Sequence, residues 1–376
     1  MGTSAINGSG TTGPSKWAIT SRTLFMPTTL GPHDDVIPPV CACGPTPERP
    51  INLEGINGYP ENCIELMNGS VVSQFTLLGL SHSHPLQLLL FGLVSACYTA
   101  SLLGNLLIVV TVRVDPDLLQ SPMYFFLANL SLIDMALGSV AAPKMLSDLL
   151  SQGSTISYGG CMAQLFFLHF LGGSEMFLLT LMAYDRYVAI CHPLSYAETM
   201  HRHRCLGLLA TCWAGGLLHS STQLVLVAWL PFCGPSKLDN FYCDVPQVVK
   251  LACSDTYVME ILMVSNSGLI SLVCFLVLLG SYGVILVTLR GRFGDGGGRK
   301  ALSTCSAHLM VVSLIFVPCI FVYLRPFSSS QMDKMASIFY TIVTPVLNPI
   351  IYTLRNREVK EAMKRLRTRL WFPCWT

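Results

Sequence analysis

The sequence predicts an all-α membrane protein: a bundle of seven transmembrane helices followed by a short amphipathic C-terminal helix. Of the 376 residues, 52% are hydrophobic and 12% are charged, whereas a typical soluble domain is about 25% charged. Apolar runs long enough to cross a bilayer, which takes about 20 helical residues, recur along the chain. They lie near residues 86–112, 123–147, 161–187, 205–230, 257–289, 299–324 and 335–354.

Lysine and arginine are distributed unevenly between the two sides of these spans. The segments that would face one side hold 15 of the 23 basic residues. Short loops rich in lysine and arginine stay on the cytoplasmic side of a membrane, so this side is expected to be cytoplasmic. An odd number of spans then places the amino terminus outside the cell and the carboxyl terminus in the cytoplasm.

The chain is expected to divide into a tail, a membrane domain and a short end. Residues 1–66 are rich in Gly, Pro, Ser and Thr and hold no apolar run long enough for a signal peptide, which predicts a disordered extracellular extension. The membrane domain is expected over residues 67–370. Alternating basic and apolar residues predict an amphipathic helix at 356–370, with a tail at 371–376. Asn68 opens an Asn-Gly-Ser sequon, which predicts a glycan just before the first span.

An acid and a base stand side by side at the inner end of the third span. They are Asp185 and Arg186, within the decapeptide Met-Ala-Tyr-Asp-Arg-Tyr-Val-Ala-Ile-Cys that ends at Cys191. In a half-dry crevice each charge is less costly beside an opposite partner, so the pair can hold itself in a closed state. The alternative is that both are ordinary charged residues flanking a membrane span.

Two further acids lie within spans, where a charged side chain costs on the order of 3 kcal/mol unless it is partnered. Asp134 is twelve residues from Pro122. Glu175 is eleven residues from Arg186, so both acids lie about 17 Å from the inner face if the segments are helical. Two carboxyls at one level can share a proton or bind a cation such as sodium, and Asn348 could complete this cluster. The alternative is that both acids are structural and hydrogen-bonded to Ser and Asn neighbours.

Two prolines interrupt the seventh span. Pro345 and Pro349 lie four residues apart, with Asn348 between them. Proline lacks a backbone N–H and so leaves backbone carbonyls without their helical partner. We expect Asn348 to bond one of these carbonyls and the span to be locally soft.

Four cysteines are expected at the outer face of the membrane. They are Cys161, Cys233, Cys243 and Cys253. An even set in an oxidising compartment indicates two disulfides, and four cysteines allow three connectivities.

Several segments together resemble one family of membrane proteins. The decapeptide is joined by Ser-Pro-Met-Tyr-Phe-Phe-Leu-Ala-Asn-Leu-Ser at residues 121–131 and by Arg-Lys-Ala-Leu-Ser-Thr-Cys-Ser-Ala-His-Leu at residues 299–309. A long outer loop with regularly spaced cysteines covers residues 231–256. These segments resemble the odorant-receptor branch of the rhodopsin-like (class A) G-protein-coupled receptors. The resemblance runs from about residue 68 to about residue 370.

The resemblance implies disulfides and a switch. By resemblance, Cys161 pairs with Cys243 and Cys233 with Cys253, and each bridge typically contributes about 2–4 kcal/mol. The ligand would favour a state in which the inner end of the sixth helix swings out and exposes Arg186. The residues expected to serve this switch and G-protein coupling are Asp185, Arg186, Tyr187, Tyr282, Lys300, Asn348, Pro349 and Tyr352.

A ligand pocket is expected in the outer half of the bundle, where the pocket of the family lies. Counting 1.5 Å per residue from the outer ends places its candidate residues roughly 12–15 Å deep, with Tyr323 nearer the mouth. The candidates are His169, Gly172, Gly173, Asn266, Ser267, Phe316, Tyr323 and Thr341. A mostly apolar cavity with a few hydroxyl, amide and imidazole groups suits a small volatile with one polar group. Alternatively, His169 is an interhelical donor and the two glycines mark close helix packing.

The sequence therefore predicts an odorant receptor of the plasma membrane. Its expected partners are a small hydrophobic odorant, a heterotrimeric stimulatory G protein of olfactory type that raises cyclic AMP, and membrane lipid, but not nucleic acid. The sequence lacks the phosphate loop, H-E-x-x-H motif and nucleophile elbow of common enzymes, and no cofactor is expected beyond a possible sodium ion at Asp134 and Glu175. The alternatives are a receptor of the same fold for a non-odorant metabolite and a small-solute transporter, although the paired repeats of transporters are not evident.

Overall fold

The computed structural model describes residues 72–371, apart from residues 82, 152, 233–235, 293–296 and 325–330. Only the backbone is described at residues 290–292, 297–304, 307, 331, 355 and 369–371. All of the described residues belong to Tyr59–Thr376, the second of two units of the chain. The extension predicted at residues 1–66, the sequon at Asn68 and residues 372–376 lie outside the described residues.

Long helices make up most of the described chain. Helix α1 is His84–Val114, α2 is Pro122–Leu150, α3 is Tyr158–Cys191 and α4 is Arg202–Ala228. Helix α5 consists of Tyr257–Met263, a π-helical stretch Val264–Leu269 and Ile270–Arg292. Helix α6 is Gly297–Tyr323, and α7 consists of Gln331–Ile338, a π-helical stretch Phe339–Val343 and Thr344–Arg355. Helix α8 is Arg357–Trp371, and short helices at Pro116–Gln120, Pro193–Ser195, Tyr196–Thr199 and Val245–Val249 lie in the connections.

Each of the seven predicted spans corresponds to one long helix. Five segments of the described chain are long and apolar enough to cross a membrane: His84–Val114, Pro122–Leu150, Tyr158–Cys191, Tyr257–Leu289 and Met332–Leu354. Helix α4 has 27 residues, about 40 Å, but it carries buried polar side chains such as Ser220 and Gln223. In α6, the residues with described side chains include a shorter apolar helix, His308–Tyr323.

Helix α3 lies at the centre of the packing. It packs along α4 most extensively and also contacts α2 and α5, whereas α1 packs on α2 and α7. Gly216 of α4 allows the close approach to α3, because a β-carbon there would lie 2.7 Å from the carbonyl oxygen of Phe170 and closer still to the hydroxyl of Ser174. This contact positions the side of α4 that carries His219.

A small sheet and a disulfide cover the end of the bundle where α3 begins. Strand β1 is Gln74–Leu77, β2 is Thr155–Ser157 and β3 is Lys237–Leu238, in the order β2-β1-β3. The predicted Cys161–Cys243 disulfide is confirmed, and it ties the loop between α4 and α5 to the first turn of α3. Cys253 of the same loop is disulfide-bonded, whereas its predicted partner Cys233 lies outside the described residues.

Helix α8 packs by one face against the rest of the chain. Its buried residues Val359, Ala362 and Leu366 recur every three or four positions, as in an amphipathic helix. Arg365 donates to the carboxylate of Asp115, in the α1–α2 connection, at 2.6 Å. Desolvation raises the pKa of Asp115, but the hydrogen bonds from Arg365 and the backbone outweigh it and hold this pKa below its ordinary value.

Candidate functional site

A cavity of about 70 Å³ lies among α2, α3, α4, α5, α6 and α7. An engineered apolar cavity of about 150 Å³ holds benzene, so this cavity is smaller than most ligands and must widen to admit one. Its lining is mostly apolar. The lining residues are Leu137, Leu168, His169, Gly172, Gly173, Glu175, Met176, Phe177, His219, Ser267, Ile270, Ser271, Ile315, Cys319, Tyr323 and Tyr340.

Two histidines and a tyrosine supply much of the polar lining. The ring centroid of His169 lies 5.5 Å from that of His219 and 5.8 Å from that of Tyr323. Within the described part of the chain, Nδ1 of His219 is buried and has no hydrogen-bond partner. A buried nitrogen without a partner costs free energy, so a polar ligand group that reached it would gain a hydrogen bond.

Five of the eight residues predicted for the pocket line this cavity. They are His169, Gly172, Gly173, Ser267 and Tyr323. The two glycines differ in their surroundings. A β-carbon at Gly172 would have nothing within 4 Å, whereas one at Gly173 would meet the ring of His219 at 3.1 Å. Gly172 therefore opens onto space, and Gly173 marks close helix packing.

The other three, Asn266, Phe316 and Thr341, do not line the cavity. The amide of Asn266 donates to the carbonyl of His219 at 3.5 Å. The ring of Phe316 stacks on Phe275, with centroids 5.8 Å apart. The hydroxyl of Thr341 donates to a carbonyl of its own helix at 2.7 Å. Asn266 and Phe316 therefore connect neighbouring helices, whereas Thr341 bonds within α7.

The residue beside each of them in the sequence lines the cavity instead: Ser267, which was also predicted, and Ile315 and Tyr340, which were not. Counting residues along a helix gives depth, but the side-chain direction turns by about 100° per residue. The π-helical stretches at Val264–Leu269 and Phe339–Val343 also widen the turn. The direction in which each side chain points therefore could not be predicted by counting residues along a regular helix.

His219 is a lining residue that sequence reasoning missed. A signal was present, because an ionisable side chain within a span is costly and marks a function more often than not. Tyr340 was missed as well, and here the sequence carries no comparable signal. Its hydroxyl is hydrogen-bonded to that of Tyr242, a loop residue 98 positions earlier in the chain.

The loop between α4 and α5 is hydrogen-bonded to two tyrosines of the cavity lining, Tyr323 and Tyr340. Asp244, beside the disulfide, is buried and accepts hydrogen bonds from Tyr323 at 2.9 Å and from Tyr242 at 3.2 Å. Burial raises the pKa of Asp244 to about 6, although the two tyrosine donors lower it. The loop thus holds α6 through Tyr323 and α7 through Tyr340.

The two predicted membrane acids lie side by side. The carboxyls of Asp134 and Glu175 are within interaction distance of each other, and Asn348 donates to both oxygens of Asp134, at 3.1 and 3.0 Å. In the described part of the chain, Oε1 of Glu175 and Oδ1 of Asn348 are buried without a hydrogen-bond partner. No group of three or more His, Cys, Asp or Glu that could hold a metal ion is found among the described residues. An ion here would depend on amide and hydroxyl oxygens beside the two carboxyls.

Asp185 and Arg186 form an ion pair at the opposite end of α3. The guanidinium donates to Oδ2 of Asp185 from Nη2 at 2.6 Å and from Nε at 3.1 Å. Tyr196, in the connection to α4, donates to Oδ1 at 2.8 Å. Asp185 is fully buried, and it holds the adjacent Arg186 in place.

The remaining residues of the predicted switch have different surroundings. Tyr282 is buried, and its hydroxyl is hydrogen-bonded to Nδ1 of His308. The hydroxyl of Tyr187 lies 3.2 Å from Nε2 of His192, so it is directed into the α3–α4 connection. The side chain of Lys300 lies outside the described residues.

Pro349 and Tyr352 lie where α7 meets its neighbours. A β-carbon at Gly104 of α1 would lie 3.0 Å from the Pro349 ring, so α1 and α7 pack closely there. Within the described residues, the hydroxyl of Tyr352 is buried without a hydrogen-bond partner.

Comparison with known proteins identifies the family. The family model described as "Olfactory receptor" matches residues 94–369. Human Olfactory receptor 4Q3 is 63% identical over 305 residues, which cover 81% of this chain and 96% of that protein. Human Olfactory receptor 4K14 is 58% identical over 302 residues, covering 80% of this chain and 97% of that protein. Mouse Olfactory receptor 4E2 is 57% identical over 303 residues, covering 81% of this chain and 98% of that protein.

These matches confirm the resemblance and the seven-helix bundle inferred from the sequence. The family consists of multi-pass receptors of the plasma membrane, not enzymes. The sequence, the bundle and the relatives together show that the chain belongs to the olfactory receptor family of G-protein-coupled receptors.

Proposed function

We propose that this odorant receptor binds a small hydrophobic odorant, bearing one polar group, in the cavity among α2 to α7. The apolar walls, including Leu168 and Ile315, supply most of the contact surface, while His169, His219 and Ser271 offer hydrogen bonds. A mostly apolar cavity with few polar groups suits such a ligand. Gly172, Gly173, Ser267 and Tyr323 belong to the same proposed site.

The position of Glu175 carries this proposal. Glu175 lines the cavity and adjoins Asp134, which is hydrogen-bonded to Asn348 of α7. Protein interiors are close-packed, so a ligand that enlarges a 70 Å³ cavity displaces its lining. Displacement of Glu175 would then be passed through Asp134 to Asn348 of α7. The two carboxyls share a proton or bind a cation such as sodium in the closed state.

We further propose that the Arg186 end of the bundle is cytoplasmic and that the amino terminus is extracellular. The ligand favours a state in which α6 moves outward and Arg186 leaves Asp185, and it shifts the populations only by its differential affinity for the two states. The exposed arginine then engages a stimulatory G protein of olfactory type, and cyclic AMP rises. The closed Asp185–Arg186 pair supports this sequence of events.

The test is a cyclic-AMP reporter in cells that express the full chain, screened with a panel of volatiles. Arg186→Gln should abolish the response to an activating compound at unchanged surface density. Lys360→Gln, which removes an exposed charge from α8, serves as the matched control and should keep the response. A full response in the Arg186 variant would overturn the proposal.

A further inference from the structure

A second cavity, of about 430 Å³, lies at the end of the bundle that carries Arg186. It is bounded by the end of α1, the start of α2 and the start of α4. Its walls include Leu132 and Leu206, which are 41% and 47% exposed. It shares no lining residue with the cavity proposed for the odorant, so it is a separate site.

Two arginines line this second cavity. Arg113 comes from the last turn of α1 and Arg202 from the first turn of α4, and the lining includes no acidic side chain. Both side chains are exposed, and across the described residues neither forms an ion pair. Asp115, two positions after Arg113, is already bonded to Arg365. Among the residues that the structure describes, the two positive charges of this cavity therefore have no counter-ion.

Arginine binds phosphate oxygens through charge-assisted hydrogen bonds that are often bidentate. Single arginines at the ends of spans are common and set topology. Here two arginines from helices distant in sequence flank one cavity whose wall continues into exposed leucines. A molecule with an anionic head and an apolar tail matches both parts of this surface.

We propose that this cavity binds an anionic phospholipid, with its phosphate between Arg113 and Arg202 and an acyl chain along Leu132 and Leu206. Anionic phospholipids are concentrated in the cytoplasmic leaflet. This proposal rests on the proposed function in one respect only, namely that the Arg186 end of the bundle lies at the cytoplasmic leaflet. A lipid bound here bridges α1 and α4.

The test uses the purified full chain in nanodiscs of phosphatidylcholine with a minor fraction of phosphatidylserine. Native mass spectrometry measures how strongly the receptor retains phosphatidylserine over phosphatidylcholine. An arginine near an anionic surface contributes about fivefold in affinity. Arg113→Gln with Arg202→Gln should therefore lower the preference roughly 25-fold. Leu206→Trp, which fills the cavity and keeps both arginines, should also lower it.

Arg204→Gln is the matched control, because it removes an exposed charge from the same helix outside the cavity lining. If Arg204→Gln lowered the preference for phosphatidylserine equally, the preference would come from general attraction between basic residues and anionic lipid, and the proposal would be overturned. Full retention by Leu206→Trp would overturn it as well, as would equal displacement by glycerophosphoserine, which has the head group but no acyl chains. None of these readouts requires an odorant or a G protein, so they are independent of the signalling proposal.

Discussion

The side-chain amide of Asn105 in α1 donates a hydrogen bond to the backbone carbonyl of Pro345 in α7, at 2.9 Å. This carbonyl lacks its helical partner because Pro349, four positions later, has no N–H. The hydroxyl of Ser101 donates to the same oxygen at 3.0 Å. The expectation that Asn348 would bond a freed carbonyl is wrong, since its amide is bonded to Asp134.

Because Asn105 and Ser101 share this acceptor, we expect the stability losses of their substitutions to be non-additive. Asn105→Ala and Ser101→Ala should each cost about 1 kcal/mol of stability, because either variant leaves one donor on the carbonyl. The double variant leaves a buried carbonyl without any donor and should cost about 1–3 kcal/mol more than the sum. Thermal unfolding of the purified receptor measures the three values, and simple additivity would contradict the shared role.

The close packing of α3 and α4 leaves no room for a side chain at Gly216. A β-carbon there would lie 2.7 Å from the carbonyl oxygen of Phe170, and backbone atoms cannot move aside as a flexible side chain can. Gly216→Ala should therefore lower stability by about 1–3 kcal/mol and reduce the amount of receptor at the cell surface. Gly207→Ala on the same helix, with nothing within 4 Å, is the control. Equal surface levels for the two variants would count against this packing.

The sequence is sufficient to predict the helices because spans are long and apolar. Prolines also mark helix starts, as at Pro122 of α2, where a missing N–H costs nothing. The Cys161–Cys243 bridge followed from family resemblance, since four outer cysteines alone leave three pairings open. Depth was predictable too, because Asp134 and Glu175 were placed at one level by counting and they do meet.

Side-chain direction and long-range partners could not be predicted from the sequence. Phe316 was placed at the right depth but stacks on Phe275, while its neighbour Ile315 faces the cavity. The partner of Pro345 lies 240 residues away in α1, and no local pattern identifies it. Contacts of this kind depend on how the helices rotate against each other, which the apolar pattern of a membrane helix constrains weakly.

Gly172 predicts a way to block the odorant cavity without unfolding the bundle. A β-carbon there would have nothing within 4 Å, so Gly172→Leu should fold while filling the cavity of about 70 Å³. We expect the concentration for half-maximal cyclic-AMP response to rise at least tenfold, since about 1.4 kcal/mol of lost binding suffices. Gly159→Leu, at the start of the same helix and also in open space, should leave the response unchanged. An unaltered dose response in Gly172→Leu would place the ligand elsewhere.

Asp244 predicts an acid-dependent gain in stability. Its pKa in the folded state is raised to about 6 from 3.8, chiefly by burial, so between these values the folded state binds more protons than the unfolded state. Stability therefore falls as pH rises from about 4 through 6. Below pH 4 both states are protonated at Asp244, and above the folded pKa the full cost of the buried charge is present.

The measurement is the melting temperature of the purified receptor between pH 5 and pH 7, compared with that of Asp244→Asn. Tyr323 and Tyr242 donate to different oxygens of Asp244, so the asparagine keeps an acceptor for only one of them and should lower stability at every pH. It has no charge to bury, so its melting temperature should fall less over this range. Asp255→Asn, at an exposed position of the same loop, controls for general charge effects and should follow the wild type. If the melting temperatures of all three proteins changed equally with pH, Asp244 would not be the source of the pH dependence.

The pair of Asp134 and Glu175 predicts a dependence on sodium. A cation held by the two carboxyls in the closed state stabilises that state, so an odorant must act against it. Replacing sodium by choline at constant ionic strength should then lower the half-maximal odorant concentration several-fold in membranes of the wild type. Asp134→Asn, which leaves the lining of the odorant cavity intact, should abolish this shift, whereas Glu260→Gln at the start of α5 should retain it. A wild-type response that did not depend on sodium would contradict the bound cation. The two carboxyls would then share a proton, because one of two adjoining buried carboxyls must lose its charge when no cation is present.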